Sequence, residues 1–226
     1  MSNETTQIAE RYNRRKNNDD VKKIMSNFYF SHFAQSEREL KYTEIINKRF
    51  KSIENIKLLE IGAGTGGNIF FFKRLGLKWK NIYANELLQD RFKILKSTFP
   101  NINLHEGDAC EIEPDMNNLF DIVFQSTVFT SILDNNFKEV LAKKMWSLLK
   151  PGGIILWYDF AFDNPSNKDV KGVKKEEVKS LFKDAKNIKF YKTTLAPPIG
   201  RRVKKLYPFF NIMPFLRTHL IAEIEK

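Results

Sequence analysis

From residue 56 onward, short apolar runs alternate with amphipathic stretches. IKLLEI (56–61), NIYANE (81–86), INLHEG (102–107), LFDIVFQ (119–125) and GIILWYDF (153–160) read as strands. Residues 66–75, 89–98, 135–149 and 174–184 carry helical spacing. Strands apolar on both faces and interleaved with helices predict a parallel sheet covered on both sides, with right-handed connections. The end of the chain breaks this rhythm. KNIKFYKTTL (186–195) reads as a sixth strand and FLRTHLIAEIEK (215–226) as a last one, joined by the Pro-rich basic excursion APPIGRRVKKLYPFFNIMP (196–214). The expected fold is therefore α/β: a doubly wound seven-stranded sheet, six strands parallel and the last antiparallel, with helices on both faces.

Residues 1–55 are polar and helical in pattern, an N-terminal lid or extension to a main domain over 56–226. Asp19-Asp20 opens one candidate helix, and Ser36 with Glu39 forms a capping-box pair ahead of another, with Leu40, Ile46 and Phe50 for one face. The 226 residues are enough for one domain with decorations, and 42% hydrophobic content with 20 Phe supplies its core. A single cysteine, Cys110, excludes an internal disulfide and fits a reducing cytosol. No apolar run reaches the roughly 20 residues of a membrane span, and the start has no hydrophobic signal core. A cytoplasmic protein is expected, with peripheral contact at the inner face of the membrane as an alternative. The net charge of +11 fits nucleic acid, an anionic membrane surface or a phosphorylated small substrate, and equally a solvated Lys-rich surface.

LLEIGAGTGGN (58–68) carries the most chemistry. A buried strand ends at Glu60-Ile61, and Gly62, Gly64, Gly66 and Gly67 turn the chain into a helix whose free N–H groups favour an anion. Some 20 residues on, Glu86 ends the second strand, where a carboxylate accepts ribose hydroxyls. Gly62-x-Gly64-x-x-Gly67 also satisfies the dinucleotide fingerprint. Three features weigh against NAD: Glu60, placed for an amino-acid ammonium; Gly107-Asp108-Ala109 at a third strand end, placed for an adenine; and the antiparallel finish.

With LLEIGAGTG, the acidic end Asn85-Glu86, GDA at 107–109, FDIVFQSTVFTSI at 120–132 and LLKPGGIILWYDF at 148–160, the chain resembles the class I S-adenosylmethionine-dependent methyltransferases over about residues 56–160. The resemblance implies S-adenosyl-L-methionine as cofactor. Glu60 with Gly62, Gly64 and Gly66 would hold its methionine end, Glu86 its ribose, and Asp108 and Ala109 its adenine; Ala63, Asn68 and Leu87 would also bind it, and Gln125 would line it at the fourth strand's end. The tail (163–173, 194–202 and 214–219) is similar to bacterial small-molecule or glycan methyltransferases.

Methyl transfer from a sulfonium is an in-line displacement, so the protein supplies alignment, desolvation and in some cases a base. Candidates belong at the carboxyl ends of the parallel strands. Asp159 ends the fifth strand, after Tyr158. An antiparallel last strand begins on that same side, bringing Arg217 and His219 there on one face. Asp159 and His219 are the candidate bases, though a strand histidine is also an ordinary structural residue; His32 and His105 are weaker candidates. Tyr12, Thr127, Tyr158, Arg201, Arg202 and Arg217 are candidate acceptor contacts. Arg201, Arg202, Lys204 and Lys205 would overhang the acceptor pocket and favour phosphate or carboxylate. Leu206, Tyr207, Phe209 and Phe210 suit either a lipid surface or the core, and Arg14 and Arg15 could join Tyr12 in a lid. No metal ligand set is singled out. The leading function is O-methylation of a small or glycan-linked, phosphorylated or lipid-linked anionic acceptor. The alternatives are an RNA methyltransferase, weakened because Asn164-Pro165 follows the fifth strand and lacks a second proline, and a non-catalytic cofactor-binding partner module.

Overall fold

The structure is a computed structural model that describes residues 3–16, 27–164 and 167–226. Asp19, Asp20 and Pro165, with the side chain of Arg15, lie outside the described residues. Seven strands form one sheet: β1 (Leu58–Ile61), β2 (Ile82–Glu86), β3 (Asn103–Glu106), β4 (Phe120–Ser126), β5 (Leu149–Phe160), β6 (Asn187–Leu195) and β7 (Arg217–Glu225). Their order is β3-β2-β1-β4-β5-β7-β6. Pairings from β3 across to β5 are parallel, and β7 runs antiparallel to both β5 and β6. Six strands thus point one way and the seventh returns, as expected.

Among the described residues the helices are α1 (Asn3–Lys16), α2 (Phe28–Arg49), α3 (Gly67–Arg74), α4 (Gln89–Thr98), α5 (Asn135–Leu148), α6 (Lys175–Leu181), α7 (Pro197–Val203) and α8 (Tyr207–Asn211). Strand alternation divides the core in two. Leu59, Ile61, Val123, Ile155 and Trp157 meet Ile8, Leu141, Met145 and Val178 on one face. Leu58, Ile122, Phe124, Leu156 and Tyr158 meet Tyr42, Ile46, Ile69, Phe72 and Leu95 on the other. Both faces of the central strands are dry, which is why their sequence reads as unbroken apolar runs. From β1 the chain winds outward through β2 to β3 and then crosses back to β4 on the other side of β1. The connection after β1 runs to one side of the sheet and that after β4 to the other, the switch point at which such sheets bind ligands.

One helix boundary departs from expectation. α2 begins at Phe28, so Ser36 and Glu39 lie inside it rather than at a cap. Asn27 Oδ1 accepts the Phe30 N–H at 3.1 Å, and the Phe33 ring stacks on Tyr207 with centroids 5.4 Å apart. A cap and a tertiary contact hold the first turns, overriding the local signal further along. Ile46 is buried as expected, but Leu40 is 63% exposed. α2 also supplies the second core directly through Tyr42, Ile45 and Ile46.

Candidate active site

The β1 strand ends by turning through Gly62 (φ +66°) and Gly64 (φ +61°), left-handed conformations that cost other residues strain. A Cβ on Gly62 would meet Val128 Cγ2 at 2.7 Å, so the β1 and β4 loops touch here. A Cβ on Gly64 would meet nothing within 4 Å and would point into open space. That space is a cavity of about 280 Å³, walled by Gly62, Ala63, Gly64 and Asn68 after β1, Asn85 to Leu88 after β2, Asp108 and Ala109 after β3, and Ser126 to Val128 after β4. Four successive strand ends converge on one hollow.

Carboxylates shape it. Glu86 is buried, with Oε2 accepting the Gly64 N–H at 2.6 Å and Oε1 accepting the Leu88 N–H at 2.8 Å. These bonds lock the glycine turn to the end of β2. Asp108 Oδ1 accepts the Cys110 N–H at 2.9 Å, and Asn85 Nδ2 donates to the Gly107 carbonyl at 2.8 Å. Glu60 is 1% exposed, its Oε1 accepting from Asn68 Nδ2 at 2.7 Å. Among the described residues, Glu60 Oε2 has no hydrogen-bond partner. Burial pushes this carboxyl up to about 8, partly opposed by the Asn68 bond. A buried acidic oxygen without a donor suits a ligand that brings a cation.

Thr127, at the end of β4, holds φ +59°, a strained value for a β-branched residue of the kind that gathers at functional sites. α1 roofs the hollow with Thr5, Ile8 and Tyr12. Its docking is polar and buried: Arg11 pairs with Glu4 at 2.6 Å and donates to the Ser131 carbonyl at 3.0 Å, and Glu4 Oε1 accepts the Leu133 N–H at 2.9 Å. Tyr12 Oη lies 3.1 Å from Ser131 Oγ, and the Arg91 guanidinium lies 4.4 Å from the centroid of its ring.

Residues 58–153 match the family model described as a methyltransferase domain. Residues 58–153 thus form a methyltransferase domain, and the chain has the fold of the class I S-adenosylmethionine-dependent methyltransferases. No curated protein matches it by sequence. Among solved structures it is similar to an S-adenosylmethionine-dependent methyltransferase of Archaeoglobus fulgidus, at 17% identity and TM-score 0.59 over 89% of this chain and all of that one. It is also similar to one from Methanosarcina mazei, at 11% identity and TM-score 0.57 over 80% and 96% of the two chains. A third is phosphoethanolamine N-methyltransferase 2 of Haemonchus contortus, solved with phosphomonomethylethanolamine and S-adenosylhomocysteine. There the match is 19% identical, TM-score 0.57, over 82% of this chain but 52% of that one, about half its length.

The strand-end wall fits the three parts of S-adenosylmethionine, the cofactor that the resemblance implies. The unpartnered Glu60 oxygen matches an ammonium, the paired Glu86 carboxylate a diol, and Asp108 with Ala109 an adenine edge. Gly62, Ala63, Gly64, Asn68, Glu86, Leu87, Asp108, Ala109, Thr127 and Tyr12 all line the cavity. Glu60 itself stands one side chain behind the wall, joined to it through Asn68.

Several expected residues do not reach the cavity. Gly66 caps α3 in a left-handed conformation, and a Cβ there would strike Phe99 at 2.2 Å, so its role is packing. Gln125 is fully buried; it donates to Asp159 Oδ2 at 3.0 Å and accepts the Val128 N–H at 3.0 Å, shaping the β4 loop from behind. Asp159 is sealed between Gln125 and Thr130, whose Oγ1 donates to it at 2.6 Å. Burial raises its carboxyl to about 7, partly opposed by those two bonds. His219 stacks on Tyr158 at 5.3 Å and opens into a separate groove with Arg217. Burial, and then Arg38, lower its imidazole to about 3, leaving it neutral and a weak base. Arg217 donates to the Asn211 and Lys192 carbonyls, and Arg201 leans on Phe30 at 5.6 Å. Arg202 is exposed. None of the three arginines lines the cavity.

Among the cavity-lining residues that sequence reasoning missed are Arg91, on α4, and Arg38, on α2. The Arg38 guanidinium lies 4.5 Å from the centroid of the Tyr158 ring, while the Tyr158 hydroxyl is held 3.1 Å from Thr194 Oγ1. Among the described residues no carboxylate forms an ion pair with Arg38. An arginine on a polar helix gives no local sign of such a position.

Proposed function

We propose that this methyltransferase methylates an oxygen of a small or glycan-linked acceptor carrying a phosphate or carboxylate, and that Arg38 holds that anion. The observation behind this reading is a cavity-lining guanidinium with no carboxylate counter-ion, stacked on a tyrosine. Such a fork is suited to bidentate anion recognition. When bound, S-adenosylmethionine supplies a sulfonium-borne methyl group and departs as the neutral thioether. The chain's own residues do the rest. The strand-end wall orients the cofactor, α1 with Thr5, Ile8 and Tyr12 excludes water as a lid, and Arg38 orients the acceptor.

Neither Asp159 nor His219 lines the cavity, so the reading relies on alignment and desolvation. An acceptor oxygen that is already ionised, or readily so, needs no protein base. The Haemonchus contortus protein, solved with a phosphorylated ligand, indicates that the fold accommodates such molecules. Arg201, Arg202 and Arg217 do not line the cavity, so this reading gives the basic excursion no part in acceptor binding.

Arg38→Met and Arg38→Lys test this with labelled-cofactor transfer to pools of phosphorylated and carboxylated small molecules. Arg38→Met should lower acceptor kcat/KM about tenfold or more, with Lys a partial rescue. S-adenosylhomocysteine affinity should stay within about twofold, since thermal or calorimetric binding reports the cofactor alone. If affinity for S-adenosylhomocysteine falls instead, Arg38 grips the cofactor carboxylate and the acceptor reading fails. Transfer only to RNA, weakening steeply with salt, would favour the nucleic-acid reading.

A further inference from the structure

The segment between β6 and β7 has an unusual surface. It descends through α7, a 3₁₀ turn at Lys204–Leu206, α8 and a second 3₁₀ turn at Pro214–Leu216. Along it the inward positions come every third residue: Tyr207 is buried, and Phe210, Met213 and Leu216 are half-buried. The row one residue earlier faces out, and it is also apolar. Leu206, Phe209, Ile212 and Phe215 are 60%, 64%, 71% and 76% exposed. The four fall at every third position through the two 3₁₀ turns and α8, and all are exposed, so the segment presents an apolar ridge to solvent. Water-facing helices normally carry polar residues there.

The charge around the ridge has one sign. Arg202, Lys204 and Lys205 are exposed beside it, and no Asp or Glu occurs anywhere from 185 to 222. The ridge is also held firmly. Tyr207 Oη donates to Glu37 Oε2 at 3.1 Å and accepts the Leu195 N–H at 3.1 Å. Asn27 Nδ2 donates to the Arg201 carbonyl at 3.3 Å, and a Cβ on Gly200 would meet Phe30 at 2.4 Å, so α7 lies flush on α2. Phe28, next to that contact, adds a 73% exposed ring. Both ends of the segment lie on the cavity side of the sheet, and Glu37 precedes Arg38 in the chain.

We propose that the ridge Leu206/Phe209/Ile212/Phe215 inserts into the interface of an anionic membrane, with Arg202, Lys204 and Lys205 on the headgroups. Exposed aromatic and aliphatic side chains beside cations and no acids match that surface: the apolar row enters the acyl boundary, and each cation near an anionic leaflet strengthens binding roughly fivefold. A second copy of this chain fits poorly, because pairing the ridges would press two basic strips together. Docked this way, the methyltransferase would turn the cavity side of its sheet toward the lipid. The inference is independent of the acceptor reading, since it is tested without any acceptor.

Flotation with vesicles of phosphatidylcholine alone, or with about one-third phosphatidylserine, tests it on the full chain. The wild type should float with anionic vesicles and bind neutral ones at least about tenfold less. Phe209→Ser with Phe215→Ser should lower binding to anionic vesicles about tenfold or more, and Lys204→Gln with Lys205→Gln should lower it by an order of magnitude as well. Both variants replace exposed side chains, so melting temperature and S-adenosylhomocysteine binding should match the wild type and certify the fold. The proposal is overturned if the wild type does not float. It is overturned equally if the serine variant floats as well as the wild type, which would reduce the contact to diffuse electrostatics. A wild-type dimer that the serine variant dissolves would assign the ridge to self-association instead.

Discussion

Glu60 offers the sharpest test of the site, because its burial carries a pH signature that one isosteric change removes. In the folded chain burial holds the carboxyl near 8 against an ordinary 4.5; unfolding returns it to water. Between those values the folded state keeps a proton that the unfolded state has lost. Stability must therefore fall as pH rises through the window, the reverse of an ion-paired carboxylate. Each pH unit inside it costs about 1.4 kcal/mol, so moving from about pH 5.5 to about pH 7.5 should cost about 2 to 3 kcal/mol. Glu60→Gln keeps the acceptor for Asn68 Nδ2 but cannot ionise. The variant should gain on the wild type by that amount across the interval, read from urea midpoints at the two pH values. Other titrating groups, Asp159 included, cancel in the difference. An ammonium of the cofactor held beside Asn68 should draw this carboxyl into its ionised form, so S-adenosylhomocysteine binding near neutral pH should expel close to one proton. Calorimetry in buffers of different ionisation enthalpy measures it. The variant should expel none and bind at least about tenfold more weakly, for a lost charged hydrogen bond. A stability difference that does not change with pH would refute the buried, protonated carboxyl. Unchanged proton release would separate Glu60 from the ammonium.

Glu86→Ala should cost both stability and cofactor affinity, because it strands the half-buried Gly64 N–H and the buried Leu88 N–H; a loss of about 2 to 4 kcal/mol by denaturation is expected, and a neutral result would sink the locking role. Asp159→Asn and His219→Ala should each keep turnover within about tenfold; a fall of roughly 10² to 10⁴ in either would restore it as a general base. Arg11→Ala, which leaves Glu4 buried and unpaired, should loosen α1, seen as faster proteolysis ahead of residue 27 and weaker cofactor retention, while the sheet's melting transition stays cooperative. Equal proteolysis rates would mean that the pair does not hold the lid.

Much of this site could be read from the chain because its chemistry sits at strand ends, and strand ends are local. The turn after β1 needs positive φ at Gly62 and Gly64, which only a glycine-rich string satisfies cheaply. Glu86 ends β2 and Asp108 stands two residues past β3, so finding the strands located them in space. The antiparallel finish was legible too, from a strand that returns with no helix to carry it across the sheet.

What stayed hidden depends on contacts between residues far apart in sequence. Gln125 and Asp159 end adjacent strands, but their mutual hydrogen bond, with Thr130, turns both away from the hollow. Chain position cannot reveal that, since it states where a backbone ends and not which partner its side chain finds. Arg38 reaches the cavity because α2 packs on the sheet with this side chain over the Tyr158 ring, a contact between residues 120 apart. The outward ridge at 206–215 likewise follows from which every-third row Tyr207 drags inward. By itself, then, the sequence determined the sheet, its reversed edge and the cofactor loop, because hydrophobic period and backbone dihedrals act over a few residues. Tertiary structure alone decided which charged groups are sealed, which face the hollow and which face out, because burial is a property of neighbours that the chain brings together only when folded.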